Sequence, residues 1–198
     1  MNALKTLLAG AALAVSATAG NAAVYATNVI DFNLGTCRNG NNFGACDASI
    51  QRHQPENSLG APDGKFVSLG YGGDLTLGFG VSGIVKEVKT WEVTYSAGDP
   101  DNYHLEAVDV YAVLSGVATK IGRILTKGGS GSVTGAFAFD SIKLVDATFD
   151  QYGTNTSSFD GFDVDAVSVA AVPLPAAGVL LLAGLGGLAA VRRRKTAA

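Results

Sequence analysis

The sequence predicts an all-β fold built as a sandwich of short strands. Three observations support this prediction. Apolar residues alternate with polar or small ones, which is the pattern of strands with one buried face. Turn-forming clusters separate these segments, at residues 60–64, 70–73, 97–102, 128–131 and 153–155. Finally, no long segment carries the apolar stripe of an amphipathic helix.

Five segments carry the alternation most clearly, and their apolar members are expected to face the core. Trp91 is therefore assigned to the core rather than to a ligand-binding surface. The expected core positions are Leu75, Leu77, Phe79, Trp91, Val93, Tyr95, Val108, Val110, Phe137, Phe139, Val167 and Val169.

The N-terminus is typical of a secretory signal peptide over residues 1–23. Lys5 supplies a positive charge, residues 7–15 are apolar, and small residues follow. Export machinery and signal peptidase require this order, and cleavage is expected between Ala19 and Ala23. The alternative is an apolar N-terminal helix of a soluble domain.

The C-terminus begins with the motif Val172, Pro173, Leu174, Pro175 and Ala176. Residues 176–191 carry no charged or polar side chain and predict a transmembrane helix, slightly shorter than the roughly 20 residues that a span usually needs. The basic end Arg192, Arg193, Arg194 and Lys195 should stay on the cytoplasmic side. The expected topology places the body outside the cell.

This tail resembles the VPLPA variant of the bacterial PEP-CTERM sorting signals. The resemblance implies processing by an exosortase, a membrane cysteine transpeptidase. It also implies delivery to the envelope, outer surface or extracellular matrix of a Gram-negative-type bacterium. An ordinary C-terminal membrane anchor is the alternative, so membrane insertion is either transient or permanent.

The body, residues 24–171, has the length of one domain. It holds all 17 acidic residues but only nine of the 14 lysines and arginines, which gives a net charge of about −8. Nucleic acid is therefore an unfavourable partner.

Cys37 and Cys46 flank a polar loop rich in Gly and Asn. In an exported chain, an even cysteine count favours a disulfide. A thiol-redox role is not indicated, because the C-x-x-C spacing is missing.

Two stretches of the body resemble exported PEP-CTERM proteins. They are residues 58–79, which contain Gly60-Ala61-Pro62-Asp63-Gly64, and residues 160–167. Those domains are similar to galactose-binding-like jelly rolls, which include many carbohydrate-binding modules. The resemblance implies a jelly-roll sandwich but fixes no ligand.

Catalytic motifs are poorly represented. Neither His53 nor His104 lies in a metalloenzyme motif, and no G-x-S-x-G elbow occurs. The segment Gly60 to Lys65 lacks the spacing and the hydroxyl residue of a phosphate loop. Paired carboxylates leave a secreted hydrolase as a third interpretation.

Calcium is the expected cofactor, if there is one. Its candidate ligands are Asp63, in a Pro-Asp-Gly turn, and the group Asp160, Asp163 and Asp165. Asp163 and Asp165 would share one face of a strand. Alternatively, Asp63 and Asp160 form turns while Asp163 and Asp165 face water.

Carbohydrate binding requires exposed aromatic rings beside polar groups. Tyr71 and Tyr103 are the candidate glycan contacts, and Phe43 and Tyr152 also fall in or next to predicted loops.

The sequence thus favours an exported, non-enzymatic surface or matrix protein with a structural or interaction role. Its expected processing partners are signal peptidase and exosortase. The alternative function is a lectin-like module that binds envelope or matrix polysaccharide.

Overall fold

The structure is a computed structural model that describes residues 23–40, 42–93, 104–126 and 129–171. Short 3-10 turns cover Gln51–His53, Pro55–Ser58 and Gly153–Asn155. One short helix, α1, covers Thr148–Tyr152. The strands in these ranges are β1 (Ala23–Tyr25), β2 (Asn28–Asn33), β3 (Thr36–Asn39), β4 (Asn42–Ala45), β5 (Val67–Ser68), β6 (Asp74–Gly78), β7 (Gly83–Glu92), β8 (Glu106–Leu114), β9 (Val117–Thr126), β10 (Gly129–Phe139), β11 (Ser141–Asp146) and β12 (Asp163–Ala171).

Two five-stranded antiparallel sheets form the body of the fold. One has the order β1-β12-β7-β10, with β5 also pairing with β12. The other has the order β2-β6-β11-β8-β9. Strands β3 and β4 form a separate hairpin. The prediction of an all-β sandwich is confirmed.

The core lies between the two sheets and is built by the predicted alternation. Leu75 and Leu77 from one sheet and Val167 and Val169 from the other belong to the same hydrophobic core, and all four side chains are fully buried. Val108, Val110 and Phe139 are buried as predicted. Removing this apolar surface from water stabilises the sandwich.

The assignment of Trp91 to the core is wrong. On β7 the alternation holds, but Thr90 and Glu92 are the buried residues, whereas Trp91 is only half-buried. Trp91 packs instead beside Tyr25, with ring centroids 5.6 Å apart, and under the Lys89 ammonium, which lies 4.7 Å from its ring. A period of two cannot tell one face of a strand from the other, and here the face that carries Val88, Thr90 and Glu92 is the inner one.

The predicted sorting signal, residues 172–198, and residues 1–22 of the predicted signal peptide lie outside the described residues. So does the predicted transmembrane helix, residues 176–191. Within the described ranges, none of the helices has the length and apolar character needed to cross a bilayer.

Candidate functional site

A cleft of about 430 Å³ opens between the β3–β4 hairpin, the turn after Gly70 and helix α1. Its size falls within the range of small-ligand pockets, roughly 300–1,000 Å³. Its walls combine aromatic rings with carboxylates and a hydroxyl. The lining residues are Thr36, Phe43, Tyr71, Gly72, Asp146, Phe149 and Asp150.

Three aromatic rings pack edge to face in this cleft. The centroid of Phe43 lies 5.1 Å from Tyr71 and 5.3 Å from Phe149, with interplanar angles of 87° and 78°. Edge-to-face packing is a preferred aromatic arrangement. Phe43 and Phe149 are 45% and 47% exposed, so both present ring surface to solvent.

Tyr71, a predicted glycan contact, lines the cleft, but its side chain is buried and its role there is structural. Its hydroxyl donates to the Ser158 carbonyl oxygen at 2.6 Å. Burial raises the pKa of the Tyr71 hydroxyl above its usual value. Tyr71 therefore holds the two exposed rings in place and offers little surface of its own.

Asp146 anchors the polar side of the cleft. Its carboxylate accepts hydrogen bonds from the backbone N–H groups of Gly72, at 3.2 Å, and Phe162, at 3.0 Å, and from the Thr148 hydroxyl, at 2.6 Å. Gly72 has a φ of +73°, a conformation that favours glycine. Burial raises the pKa of Asp146, although these hydrogen bonds act in the opposite direction.

Asp150 supplies an exposed carboxylate at the rim. Its Oδ2 lies 2.7 Å from Nη2 of Arg123, whose guanidinium also binds Asp109 on β8. Arg123 Nη1 further donates to the Gln151 side chain at 3.1 Å. Arg123 therefore fixes helix α1 against the second sheet and places Asp150 beside Phe149.

The hairpin that carries Phe43 is fastened at its base. Cys37 on β3 and Cys46, just after β4, form a disulfide, so that prediction is confirmed. Arg38 adds two bonds to the body, from its backbone N–H to the Phe159 carbonyl and from its guanidinium to the Thr156 carbonyl, both at 2.7 Å. Phe43 is thus held against the sandwich although β3 and β4 belong to neither sheet.

Two of the predicted calcium ligands, Asp63 and Asp165, already serve other partners. The Asp165 carboxylate accepts the backbone N–H groups of Asp63, at 3.0 Å, and Gly64, at 3.2 Å. Gly64 has a φ of +82°, so Asp165 secures a turn that favours glycine. The Asp63 side chain itself pairs with Lys65 at 2.8 Å.

The other two candidates are occupied as well. Asp160 lies 2.7 Å from Nε of Arg52 and 3.2 Å from Nε2 of His53, and Asp163 accepts a hydrogen bond from Ser68. All three aspartates at 160–165 are buried, so the alternative that Asp163 and Asp165 face water is wrong. Among the described residues these carboxylates do not gather around one point. The four residues do not fit a shared calcium site.

Glu92, Glu106 and Asp163 form a buried acidic cluster that sequence reasoning missed. The backbone N–H of Asp163 donates to Glu106 at 3.3 Å. Burial and mutual repulsion raise the pKa values of Glu106 and Asp163 well above their usual range. The alternation of β7, with Trp91 facing the core, predicts Glu92 on the surface, whereas the structure buries it.

Sequence reasoning also missed Phe149 and Asp150. They fall in a segment with no strand alternation and no motif, so no signal marked them. Phe43 and Tyr152 both fall in or next to predicted loops, and of the two Phe43 alone lines the cleft. Tyr103 lies outside the described residues.

Comparison with known proteins adds information about the fold. No protein-family model matches the sequence, and no curated protein matches it. The structure is similar to the family 32 carbohydrate-binding module from Streptococcus pneumoniae EndoD, with a TM-score of 0.52 and 12% identity over 75% of this chain and 98% of that one.

Two further solved structures are less similar. A chitosan-binding module 2 of a Paenibacillus sp. IK-5 chitosanase/glucanase, in complex with chitotriose, has a TM-score of 0.41 at 14% identity and covers 62% of this chain and 89% of the module. SpGH29 has a TM-score of 0.45 at 15% identity over 63% of this chain, which spans only 25% of the SpGH29 chain. At these identities the likeness to the EndoD module shows that the fold is shared.

Proposed function

We propose that this protein is a non-catalytic carbohydrate-binding module whose sugar site is the cleft lined by the exposed rings of Phe43 and Phe149. The observation that carries the proposal is the pair of half-exposed rings, 5.3 Å apart, beside the exposed carboxylate of Asp150. Sugar rings present C–H faces that stack on aromatic rings, while their hydroxyls need polar partners. The fold shared with a carbohydrate-binding module supports this function.

The cleft is built for binding more than for catalysis. The Asp146 carboxylate already accepts hydrogen bonds from Gly72, Thr148 and Phe162, so its role is structural. Asp150 is paired with Arg123 at the surface. A glycosidase needs one carboxylic acid and one carboxylate free to act on either side of the scissile bond, and this arrangement does not provide that pair.

The negative charge of the body and of Asp150 restricts the class of sugar that the cleft should bind. The body carries about −8, and Asp150 places a negative group at the rim of the cleft. Negatively charged uronate polymers should be repelled, whereas neutral or amino-substituted sugars should be accepted. The proposed ligand is therefore a neutral or amino-substituted polysaccharide of the envelope or matrix.

The proposed location follows from the two ends of the sequence. A signal peptide at residues 1–23 would export the body, and the tail at 172–198 would be sorted by an exosortase. Expression in a host with and without an exosortase, followed by fractionation and mass measurement, tests this part. Replacing Pro173 and Pro175 by alanine should block processing; unchanged processing of that variant would overturn the sorting proposal.

The binding proposal is tested with a panel of neutral, amino-substituted and uronate polysaccharides. Phe43→Ala and Phe149→Ala should each weaken binding by roughly tenfold or more, since buried aromatic contacts dominate binding energy. Phe159→Ala is the matched control, because Phe159 is 46% exposed but does not line the cleft. Absence of binding to every sugar, or equal losses in all three variants, would contradict the proposal, and sugar turnover would favour the hydrolase.

A further inference from the structure

The end of the sandwich opposite the cleft carries a cluster of exposed apolar side chains, which we call the apolar end. Strand β8 runs between the two ends of the sandwich. At its start, the backbone N–H of Ala107 donates to the Thr148 hydroxyl of helix α1, which lines the cleft. The nine residues of β8 put its other end roughly 25–30 Å away. The members of the apolar end are Ile30, Val81, Ile84, Leu114 and Val117.

These side chains surround one shallow cavity of about 310 Å³, which Ile30 and Val81 line together with Asp140. The Asp140 carboxylate accepts a backbone N–H of the β8–β9 turn at 2.7 Å, so this turn borders the cavity. Leu114 and Val117 flank the turn and pair with each other across the hairpin. Val117 is 67% exposed and Ile30 is 55% exposed, so the described residues leave much of this apolar surface uncovered.

The chain leaves the sandwich at the same end. Ala171, the last residue of β12, pairs with Val85 on β7, next to exposed Ile84. The first residue of β12, Asp163, lies at the cleft end, where its backbone N–H donates to Glu106 at 3.3 Å. Strand β12 therefore carries the chain from the cleft end to the apolar end.

The sequence after Ala171 limits how far the sandwich can stand from an inserted tail. Four residues, 172–175, separate Ala171 from the uncharged apolar stretch 176–191. A fully extended chain spans at most about 3.6 Å per residue, so four residues reach about 14 Å. The headgroup layer of a bilayer takes up roughly half of that distance. Insertion of residues 176–191 would therefore hold the apolar end against the headgroups.

We propose that the apolar end docks on the surface of a phospholipid bilayer while the tail is inserted, so that the sugar cleft faces away from the membrane. The inference rests on the proposed location of the protein and adds the orientation of the body and the side chains that contact lipid. Apolar side chains gain free energy when they leave water for the boundary between headgroups and acyl chains.

The charged residues at the apolar end are compatible with a lipid surface. Of the described residues that line the cavity, Asp140 alone is charged, and its carboxylate also accepts the Ser141 hydroxyl at 3.1 Å. Lys86 is exposed two residues beyond Ile84. A lysine at this position can keep its stem on apolar surface while its ammonium reaches lipid phosphates.

Fluorescence quenching in phospholipid vesicles tests the proposal with the full-length chain. One fluorophore is attached to Ser82→Cys, in the turn between β6 and β7, or to Asn155→Cys, beside α1; both positions are exposed. The two native cysteines are joined, so the introduced thiol is the one that reacts. Brominated lipids quench at short range, so quenching should be at least about threefold stronger at position 82 than at position 155. Equal quenching at the two positions would overturn the proposal.

A charged variant separates docking by the apolar end from simple tethering by the tail. Leu114→Asp/Val117→Asp should reduce the quenching at position 82 by about twofold or more. Leu125→Asp is the matched control, because Leu125 is exposed on β9 but pairs with Ala107 at the cleft end. Circular dichroism checks that each variant is folded. Undiminished quenching in the folded double variant would overturn the proposal, since the tether alone would then explain the contact.

Flotation of the vesicles after an alkaline wash reports insertion of the tail separately. A chain that does not float with the lipid contradicts both the proposed location and this inference. A chain that floats, but whose label at position 82 is quenched by aqueous iodide and not by brominated lipid, leaves the location intact and overturns the docking. Protection of position 82 from both quenchers would also overturn it, because protein would then cover the surface. Energy transfer between donor- and acceptor-labelled copies would identify that cover as a second copy, and its absence would identify the tail.

Discussion

The Asp165 carboxylate accepts hydrogen bonds from the backbone N–H groups of Asp63 and Gly64, which precede it by more than 100 residues. This contact joins strand β12 to the turn at Asp63 and Gly64, which follows the 3-10 turn Pro55–Ser58. A carboxylate that already holds two N–H groups is poorly placed to bind calcium as well. The Asp165 hydrogen bonds should therefore affect both the stability of the protein and its response to calcium.

Replacing Asp165 by alanine should lower the free energy of unfolding by about 1–3 kcal/mol, because two N–H groups lose a charged acceptor. Urea unfolding measures this change. Asp63→Ala is the matched control: its side chain is exposed and pairs with Lys65, so its loss should have a much smaller effect. Equal losses in the two variants would show that the Asp165 contact is unimportant.

Calcium should not change the melting temperature of the body. An ion at about 100 times its dissociation constant would add about 2.7 kcal/mol. The four predicted ligands have protein partners and do not gather around one point, so no such gain is expected. Melting with calcium and with a chelator measures this directly, and a shift of several degrees would restore the calcium hypothesis.

The buried acidic cluster predicts an unusual dependence of stability on pH. The pKa values of Glu106 and Asp163 are raised by burial, so the folded state binds more protons than the unfolded state above about pH 4.5. Stability gained from protonation is present at low pH and is lost as pH rises through the raised pKa values. The free energy of unfolding should therefore be larger near pH 5 than near pH 8.

Glu106→Gln provides the control for this pH effect. The amide removes one titrating group and its repulsion with Asp163 and Glu92, so the slope of stability against pH should become shallower. The raised pKa of buried Asp146 acts in the same direction and should leave a residual slope. Stability that rises from pH 5 to pH 8 in the unmodified protein would contradict the prediction.

A substitution at Tyr71 should change the stability of the protein without changing its glycan binding. Tyr71→Phe removes the hydrogen bond to Ser158 and should cost about 1–3 kcal/mol, since a buried carbonyl loses its donor. Glycan binding should change little, because the ring still supports Phe43 and Phe149. Urea unfolding and a binding assay are compared on the same sample. A large loss of binding in a folded protein would mean that the hydroxyl contacts the sugar.

Loss of the disulfide should affect both stability and binding. Cys37→Ser/Cys46→Ser should lower the free energy of unfolding by about 2–3 kcal/mol, because the loop is short. It should also weaken glycan binding, since the hairpin that carries Phe43 loses its covalent fastening. Adding Phe43→Ala to this variant should then cost less binding energy than Phe43→Ala costs alone. Fully additive losses would show that the hairpin is positioned without the disulfide.

The all-β sandwich, most of its core positions and the Cys37–Cys46 disulfide are predictable from the amino-acid sequence alone. Alternation with period two reports strand structure locally, and two cysteines flanking a flexible loop have one partner each. Which face of β7 is buried depends on how the two sheets pack, because Trp91 and Glu92 fit the alternation equally well. The cleft cannot be predicted from the sequence either. Phe43 and Phe149 lie on a hairpin and a helix that are distant in the chain, and only the packing of those elements against the sandwich brings the two rings together.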